Sequence, residues 1–156
     1  MTDGADDTPG VLTFPPLIYL IAVVVGWGLE RLLPLPAPEG TLRWAIAGLL
    51  LAAGLALVAF AVPQFVRLRT HVSVHRPATA LITAGAYRVT RNPLYIALAL
   101  LQASLGVAAG LPWAVVTIAP ALVVVHLGVV RREERYLGRK FGQAYRDYTA
   151  AVPRWL

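Results

Sequence analysis

The sequence predicts an all-α integral membrane protein with about four transmembrane helices and a C-terminal cytoplasmic amphipathic helix. Hydrophobic residues make up 58% of the 156 residues and charged residues only 14%, whereas a soluble domain carries ~25% charged residues. The 38 residues from Pro93 to Val130 contain no charge. At ~20 residues per span, that stretch fits one helix down and one back. Lysine and arginine are concentrated in alternate connections between the apolar segments, as in multi-span proteins.

Four apolar segments give the predicted spans, in chain order about Phe14–Leu33, Trp44–Val66, Leu94–Ala109 and Trp113–Val130. The third is short for a span, and Gly110-Leu111-Pro112 forms the turn that follows it. Pro120 is expected to kink the fourth span, because proline removes a helix hydrogen bond. After the spans, aromatic and apolar residues recur at helical spacing between Arg131 and Tyr148. They predict an amphipathic helix that lies on the headgroups or folds back over the bundle.

These elements divide the chain into three regions. Residues 1–13 are expected to be a disordered tail, residues 14–66 hold the first two spans, and residues 67–156 form one region with a loop, a helical hairpin and the C-terminal helix. The tail contains Asp3, Asp6 and Asp7 and no basic residue before residue 31. A signal peptide is therefore not expected, because its first part is positively charged.

The distribution of positive charge predicts the orientation in the membrane. Two basic residues, Arg31 and Arg43, follow the first span, whereas 12 lie on the opposite side. Those 12 are Arg67, Arg69, Arg76, Arg88, Arg91, Arg131, Arg132, Arg135, Arg139, Lys140, Arg146 and Arg154. Positive loops remain cytoplasmic, so both termini are expected in the cytoplasm. Anionic lipid headgroups, not nucleic acid, are the expected partners of the net charge of +6.

Composition also narrows the chemistry. The chain has no cysteine, so a disulfide, a thiolate metal site and a cysteine nucleophile are excluded. Its three histidines, His71, His75 and His126, are scattered, and no metal site is predicted. His126 lies inside the fourth span, where an ionisable residue is either functional or hydrogen-bonded within the packing. The sequence leaves the role of all three histidines open.

A two-helix hairpin returns the chain to the face that it left, so the polar segments at its two ends are expected to meet. The first extends from Gly85 to Tyr95, and the second from Arg131 to Tyr145. Single residues have simpler explanations: Glu133 and Glu134 can balance neighbouring arginines in a solvated turn. Likewise, Pro93 can simply begin a helix, and the tyrosines can form an interfacial belt.

The complete set, in its order and spacing, resembles the isoprenylcysteine carboxyl methyltransferase family, and more widely the phospholipid methyltransferase-like membrane enzymes. The resemblance covers about residues 67–156. The matching residues are Gly85, Tyr87, Arg91, Asn92, Pro93, Tyr95, Glu133, Glu134, Leu137, Phe141, Gly142, Tyr145, Tyr148, Arg154 and Trp155. Asn92 stands where the eukaryotic pattern has histidine, and Ala97 where it has glycine. Since asparagine does not titrate near neutral pH, an imidazole base at this position is put in doubt. Arg91-Asn92-Pro93 is similar to the sequence of bacterial members of the family, and this resemblance implies a bacterial inner membrane as the location.

The resemblance implies S-adenosylmethionine as the methyl donor, held in a pocket built from both motifs. The implied cofactor-binding residues are Tyr87, Arg91, Asn92, Pro93, Tyr95, Glu133 and Glu134, and the catalytic candidates are Glu133, Glu134 and Arg154. The implied acceptor is a lipophilic molecule from the bilayer, with a carboxylate favoured and Arg154 available to orient it. For an amine or thiol acceptor, Glu133 or Glu134 is the nearest candidate base.

Two other functions stay open at this point. Membrane sterol reductases have a similar C-terminal block and use a nicotinamide cofactor, but their chains are much longer. A non-enzymatic membrane interaction protein is the third possibility, although the set of Arg91, Glu133 and Glu134 is intact. Binding of S-adenosylhomocysteine without binding of NADPH would distinguish a methyltransferase from a nicotinamide-dependent reductase. The identity of the acceptor and the oligomeric state do not follow from the sequence.

Overall fold

The computed structural model describes residues 14–69 and 77–156, and this part of the chain is helical without a β-strand. Its α-helices are α1 (Pro15–Leu32), α2 (Gly40–Arg67), α3 (Pro93–Ala109), α4 (Pro112–Val116), α5 (Ile118–Val125) and α6 (Arg131–Ala151). A 3₁₀ turn covers Gly85–Arg88, and a π-helical turn covers His126–Val130. The predicted tail of residues 1–13 and both loop histidines, His71 and His75, lie outside the described residues.

The predicted all-α membrane architecture is confirmed. Helices α1 and α2 and the largely helical stretch that begins at Pro112 are each long and apolar enough to cross a membrane. Helix α3 has 17 residues, the lower end of the ~17–25 residues needed for a span. The charged residues begin at Arg131, so the apolar part of the last span ends at Val130. About four spans therefore fit the structure, with the third short as predicted.

Hydrogen bonds from buried polar side chains join the spans. Helix α2 packs along α3, and α1 packs against α3, α4 and α5. The hydroxyl of Thr117 donates to the carbonyl oxygen of Ala22 on α1 at 2.8 Å. The hydroxyl of Ser104 on α3 donates to the carbonyl oxygen of Ala47 on α2, also at 2.8 Å. Such bonds stabilise helix pairs in lipid, where packing area alone gives little driving force.

The fourth span is interrupted where the sequence places a proline. Helix α4 ends before Thr117, and Pro120 lies in the first turn of α5. A first-turn residue needs no intrahelical N–H partner, so restarting the helix removes the cost of the proline. The predicted kink is thus present as a break three residues before Pro120. The π-helical turn His126–Val130, which sequence reasoning did not predict, then leads into α6.

The C-terminal amphipathic helix is present, but it is interrupted at one residue. Gly142 has φ 53° and ψ −120°, a backbone conformation that is strained for residues with a side chain. The reversal divides α6 into two limbs, residues 131–141 and 143–151. Tyr145 and Tyr148 of the second limb and Val152, which follows it, are buried in one cluster. Partly buried side chains that include Leu137 of the first limb pack against this cluster. The second limb packs back against Leu137 of the first limb and against the segment before α3, through Leu81 and the carbonyl oxygen of Tyr87.

Candidate active site

Three charged side chains from separate parts of the chain meet where α6 leaves the last span. Arg91 precedes α3, Glu134 lies in the first turn of α6, and Arg154 follows the end of α6. Arg91 donates from one terminal nitrogen to Glu134 Oε1 at 2.9 Å. Arg154 donates from Nε to Oε1 and from a terminal nitrogen to Oε2, both at 2.8 Å. The Glu134 carboxylate thus holds two guanidinium groups in place. The two-nitrogen contact also fixes the orientation of the Arg154 guanidinium group.

The second glutamate is held by a tyrosine from the other end of the hairpin. Tyr95, buried in the first turn of α3, donates from its hydroxyl to Glu133 Oε2 at 2.8 Å. Glu133 follows the apolar part of the last span. The pKa of Glu133 is raised to about 7, because burial and, to a smaller extent, the charge of Glu134 raise it by more than the Tyr95 hydrogen bond lowers it. A carboxyl group with this pKa exchanges its proton near neutral pH.

The C-terminal tail is attached to the Arg-Asn-Pro motif by backbone oxygens. The N–H of Arg91 donates to the carbonyl oxygen of Pro153 at 3.0 Å. The carbonyl oxygen of Arg154 accepts two bonds, from the Thr90 hydroxyl at 3.1 Å and from Asn92 Nδ2 at 2.8 Å. These contacts place the Arg154 side chain beside Glu134. Thr90, fully buried, is a positioning residue that the sequence did not reveal, because its partner is 64 residues away.

Tyr87 lies in the 3₁₀ turn, at the edge of this cluster. Its ring meets the ring of Phe65 edge-on with centroids 5.9 Å apart, and its carbonyl oxygen accepts a hydrogen bond from Tyr148. Burial raises the pKa of the Tyr87 hydroxyl, so it remains protonated at neutral pH. The turn approaches α2 so closely that a Cβ at Gly85 would lie 2.5 Å from the carbonyl oxygen of Phe60. Glycine is therefore required at residue 85 for Tyr87 to reach this place.

Pro93 and the Nε atom of Arg91, both in the predicted set, have different environments. Pro93 is buried at the first position of α3, where its missing N–H costs nothing, as the simpler explanation has it. Arg91 Nε is buried and has no hydrogen-bond partner among the described residues. An unpaired buried donor is costly, so this nitrogen is suited to an acceptor supplied by a ligand.

A cleft lies beside Glu134 and Arg154. Its volume is about 480 Å³, within the ~300–1,000 Å³ of ligand sites in general. Its lining residues are Leu127, Arg131, Arg132, Glu134, Arg135 and Arg154. The sequence pattern explains the arginines of α6 by membrane orientation and by pairing with Glu133 and Glu134, and it does not predict a cleft. Residues 131 and 135 are one helical turn apart on one face, and the fold brings Arg154 beside them.

His126 is the first residue of the π-helical turn that leads into α6 and the charged cluster. Its ring is tilted toward that of Trp155, with centroids 6.1 Å apart. Nδ1 of His126 is buried and has no hydrogen-bond partner in the described part of the chain. Trp155 also packs against the core that joins α1, α3 and α5. The histidine is thus placed against the C-terminal tail, which the sequence did not indicate.

The fold defines the class of protein: a helical integral membrane protein with a charged site where the spans leave the apolar layer. The model of the phospholipid methyltransferase family matches residues 42–144. The match covers more than half of the chain, and the protein belongs to this family of membrane methyltransferases. The matched range includes Arg91, Glu133 and Glu134, and it ends before Arg154. Searches of the curated proteins and of the solved structures found no match.

Proposed function

We propose that this protein transfers a methyl group from S-adenosylmethionine to a lipophilic acceptor at the boundary between membrane and cytoplasm. The acceptor atom favoured is a carboxylate oxygen. The observation that supports this most strongly is the meeting of Arg91, Glu133 and Glu134 at the mouth of one helical hairpin. The match to a methyltransferase family supports methyl transfer over nicotinamide-dependent reduction.

The residues of the cluster fit the chemical groups of the donor. The unpaired buried Nε of Arg91 suits the carboxylate of the donor. Glu133, ionised above pH 7, suits the ammonium group, and the faces of Tyr87 and Tyr95 suit the adenine or the sulfonium. Glu134 has a supporting role, because its two oxygens already bind Arg91 and Arg154. S-adenosylmethionine supplies an electrophilic methyl group when bound.

The acceptor is expected to reach the site from the bilayer. Val123, Val124 and Leu127 on the last span are exposed and provide an apolar path along the helix to the cluster. The side chain of Arg154 is 40% exposed, so a guanidinium edge is accessible to an acceptor carboxylate. A carboxylate needs no general base. For an amine or thiol acceptor, Glu133 would take the proton, since its pKa lies near 7.

The C-terminal tail, residues 152–156, would cover this cluster. Trp155 packs against the core, and the backbone of residues 153–154 is bonded to Thr90, Arg91 and Asn92. A cover that excludes water strengthens the electrostatic interactions beneath it. Positioning of the acceptor atom and methyl carbon would then supply much of the rate.

A direct test uses purified protein with an isotopically labelled methyl donor and a panel of lipid extracts. Mass spectrometry should detect a labelled, lipid-soluble product. Binding of S-adenosylhomocysteine is measured in parallel by calorimetry, with NADPH as the comparison. Glu133→Gln should weaken binding about tenfold at pH 8 and reduce product formation, whereas Arg88→Ala, an exposed neighbour of the cluster, should keep both unchanged. Binding of NADPH in place of S-adenosylhomocysteine would overturn the proposal.

A further inference from the structure

Helix α1 lies outside the residues that the family model matches, yet it packs closely against the hairpin that holds the site. The match begins at residue 42, and α1 ends at Leu32. The buried residues of α1 share one face and are Pro15, Ile18, Tyr19, Ala22 and Gly26. A Cβ at Gly26 would lie 2.6 Å from the backbone of Ala114, so glycine is required for this approach. The position of α1 against the hairpin is therefore well defined.

A hydrogen bond joins this helix to the residue that holds Glu133. Tyr19, in the second turn of α1, is 4% exposed, and its hydroxyl donates to the carbonyl oxygen of Tyr95 at 2.9 Å. Tyr95 in turn donates from its own hydroxyl to Glu133 Oε2 at 2.8 Å. Both tyrosines belong to one apolar core with Val125 and Val129. Tyr95 thus accepts a bond from α1 on its backbone and donates one from its side chain to α6.

The bond from Tyr19 acts where α3 has the fewest hydrogen bonds of its own. Tyr95 is the third residue of α3, and the first N–H groups of a helix have no intrahelical partner. A carbonyl oxygen has two lone pairs, so that of Tyr95 can accept the Tyr19 hydroxyl as well as a helical N–H. A hydroxyl without a partner in this apolar core would be costly, which favours the bond. The start of α3, and with it the Tyr95 side chain, is thereby held against α1.

We propose that Tyr19 is a positioning residue of the site: through Tyr95 it holds the Glu133 carboxylate in the orientation that binds the ammonium group of the methyl donor. Tyr19 acts without contacting the donor. The inference rests on the proposed function for the identity of that ligand, whereas the effect of Tyr19 on Glu133 is present without any ligand. A helix outside the matched range is then part of what forms the site.

The ionisation of Glu133 reports the Tyr95 hydrogen bond in the ligand-free protein. The pKa of Glu133 is about 7, because burial raises it by more than this hydrogen bond lowers it. Weakening the bond should therefore raise the pKa further. The other groups that interact with Glu133 are the same in the native protein and in variants of Tyr19 and Tyr95, and they include Tyr87, Glu134 and Tyr145.

The titration is followed by NMR on the full-length protein in detergent with ¹³C-labelled glutamate, and Glu133→Gln identifies the Glu133 signal. Tyr19→Phe should shift the titration midpoint upward by about half a pH unit, and Tyr95→Phe by about one unit. Because Tyr19 acts through Tyr95, adding Tyr19→Phe to Tyr95→Phe should cause no further shift. Additive shifts in the double variant, or a native midpoint in Tyr19→Phe, would overturn the proposal.

Thr117→Val is the matched control for Tyr19→Phe. It also removes a buried hydroxyl that joins the hairpin to α1, where the acceptor is the carbonyl oxygen of Ala22. This variant should lower the melting temperature and leave the midpoint of Glu133 unchanged. If Thr117→Val shifted the midpoint as much as Tyr19→Phe does, general packing of α1 would explain the effect and the specific role of Tyr19 would be rejected.

Calorimetry with S-adenosylhomocysteine separates this inference from the proposed function. Tyr19→Phe should weaken binding about twofold at pH 7 and less at pH 9, where Glu133 is ionised in both proteins. A shifted midpoint in a protein that does not bind S-adenosylhomocysteine would overturn the proposed function and support the positioning of Glu133 by Tyr19. Equal affinities of Tyr19→Phe and the native protein at pH 7 would support the proposed function and overturn the role of Tyr19 in donor binding.

Discussion

Glu134 and Arg154 are 20 residues apart in the chain, yet two hydrogen bonds of 2.8 Å join their side chains. A straight helix would separate them by ~30 Å, at 1.5 Å per residue. Gly142 makes the contact possible, because its φ of 53° reverses the direction of α6 between the two limbs. The backbone conformation of one glycine therefore determines whether the C-terminal arginine reaches the site.

Replacing Gly142 by alanine should separate the tail from the site. A Cβ at residue 142 would meet no atom within 4 Å, so the expected cost arises from backbone strain alone, about 1–3 kcal/mol. If α6 straightens to relieve that strain, Arg154 leaves Glu134. We expect at least tenfold weaker binding of S-adenosylhomocysteine by calorimetry.

Gly138→Ala is the matched control for this prediction, since it adds the same methyl group to the first limb. Its Cβ would lie 3.7 Å from the ring of Tyr145, an ordinary contact, and alanine favours a helix over glycine. Stability should be equal or higher and binding unchanged. Equal affinities for Gly142→Ala and the native protein would show that the reversal at Gly142 does not support ligand binding.

Arg91→Ala should weaken binding of S-adenosylhomocysteine by about 1.5–3 kcal/mol, the usual contribution of a hydrogen bond to a charged group. The variant removes the unpaired Nε and one of the two partners of Glu134. Arg88→Ala, three residues earlier and exposed, changes the net charge equally and should have no effect. Similar affinities for the two variants would separate Arg91 from the donor pocket.

The helical hairpin could be predicted because it depends on local properties. An uncharged run long enough for two spans must return to the face that it left, so the approach of Arg91 to Glu134 followed from length and topology. Most boundaries of the spans followed in the same way from the prolines and charges that flank them, whereas α2 begins at Gly40, four residues before the predicted Trp44. Pro93, for instance, begins α3 within one residue of the predicted start.

The remainder of the site depends on tertiary contacts that have no local signal. Phe141-Gly142 belonged to a family pattern, but the pattern does not state that the glycine has a positive φ and reverses a helix. Thr90 acts through the carbonyl oxygen of a residue at the C-terminus, and any residue type at 154 provides that oxygen. The cationic cleft has no local signal either, because it forms only where Arg154 is brought beside Arg131 and Arg135.

The tail should be needed for donor affinity. Deletion of residues 152–156 removes Arg154, Trp155 and the carbonyl oxygens that Thr90, Arg91 and Asn92 bind. We expect at least tenfold lower turnover and weaker donor binding, with helix content unchanged by circular dichroism. Asn92→Ala, which removes only one of the three attachments, should have a smaller effect in the same direction. A truncated protein with full activity on its native acceptor would reduce the tail to a surface anchor.

Both termini should face the cytoplasm, from the excess of 12 basic residues over 2. The chain has no cysteine, so single cysteines can be introduced at Gln143 and at Glu39, both exposed. A membrane-impermeant maleimide on intact cells should label the cysteine at residue 39 and not that at residue 143. The cysteine at residue 143 should become reactive once the inner face is opened. The opposite labelling pattern would invert the orientation.

Ligand binding should depend on pH through Glu133. Its pKa of about 7 is raised from the usual 4.5, so the side chain is mostly neutral at pH 6 and mostly ionised at pH 8. The groups that interact with it electrostatically include Tyr87, Tyr95, Glu134 and Tyr145. Only the ionised carboxylate attracts the ammonium group of S-adenosylhomocysteine. Affinity is therefore expected to increase about tenfold from pH 6 to pH 8, and Glu133→Gln should remove this dependence.

The raised pKa of Glu133 has the opposite effect on the stability of the fold, which should decrease as the pH rises. A carboxyl group whose pKa is raised in the folded state stabilises the fold most below its unfolded pKa of about 4.5, and this contribution is lost as pH rises through 7. Without ligand, the melting temperature of the native protein should therefore fall between pH 5 and pH 8 relative to that of Glu133→Gln. Tighter binding at the pH where the free protein is less stable would distinguish a functional carboxylate from one that only packs. Parallel melting curves and pH-independent affinity for the two proteins would assign Glu133 to the packing of α6 against Tyr95.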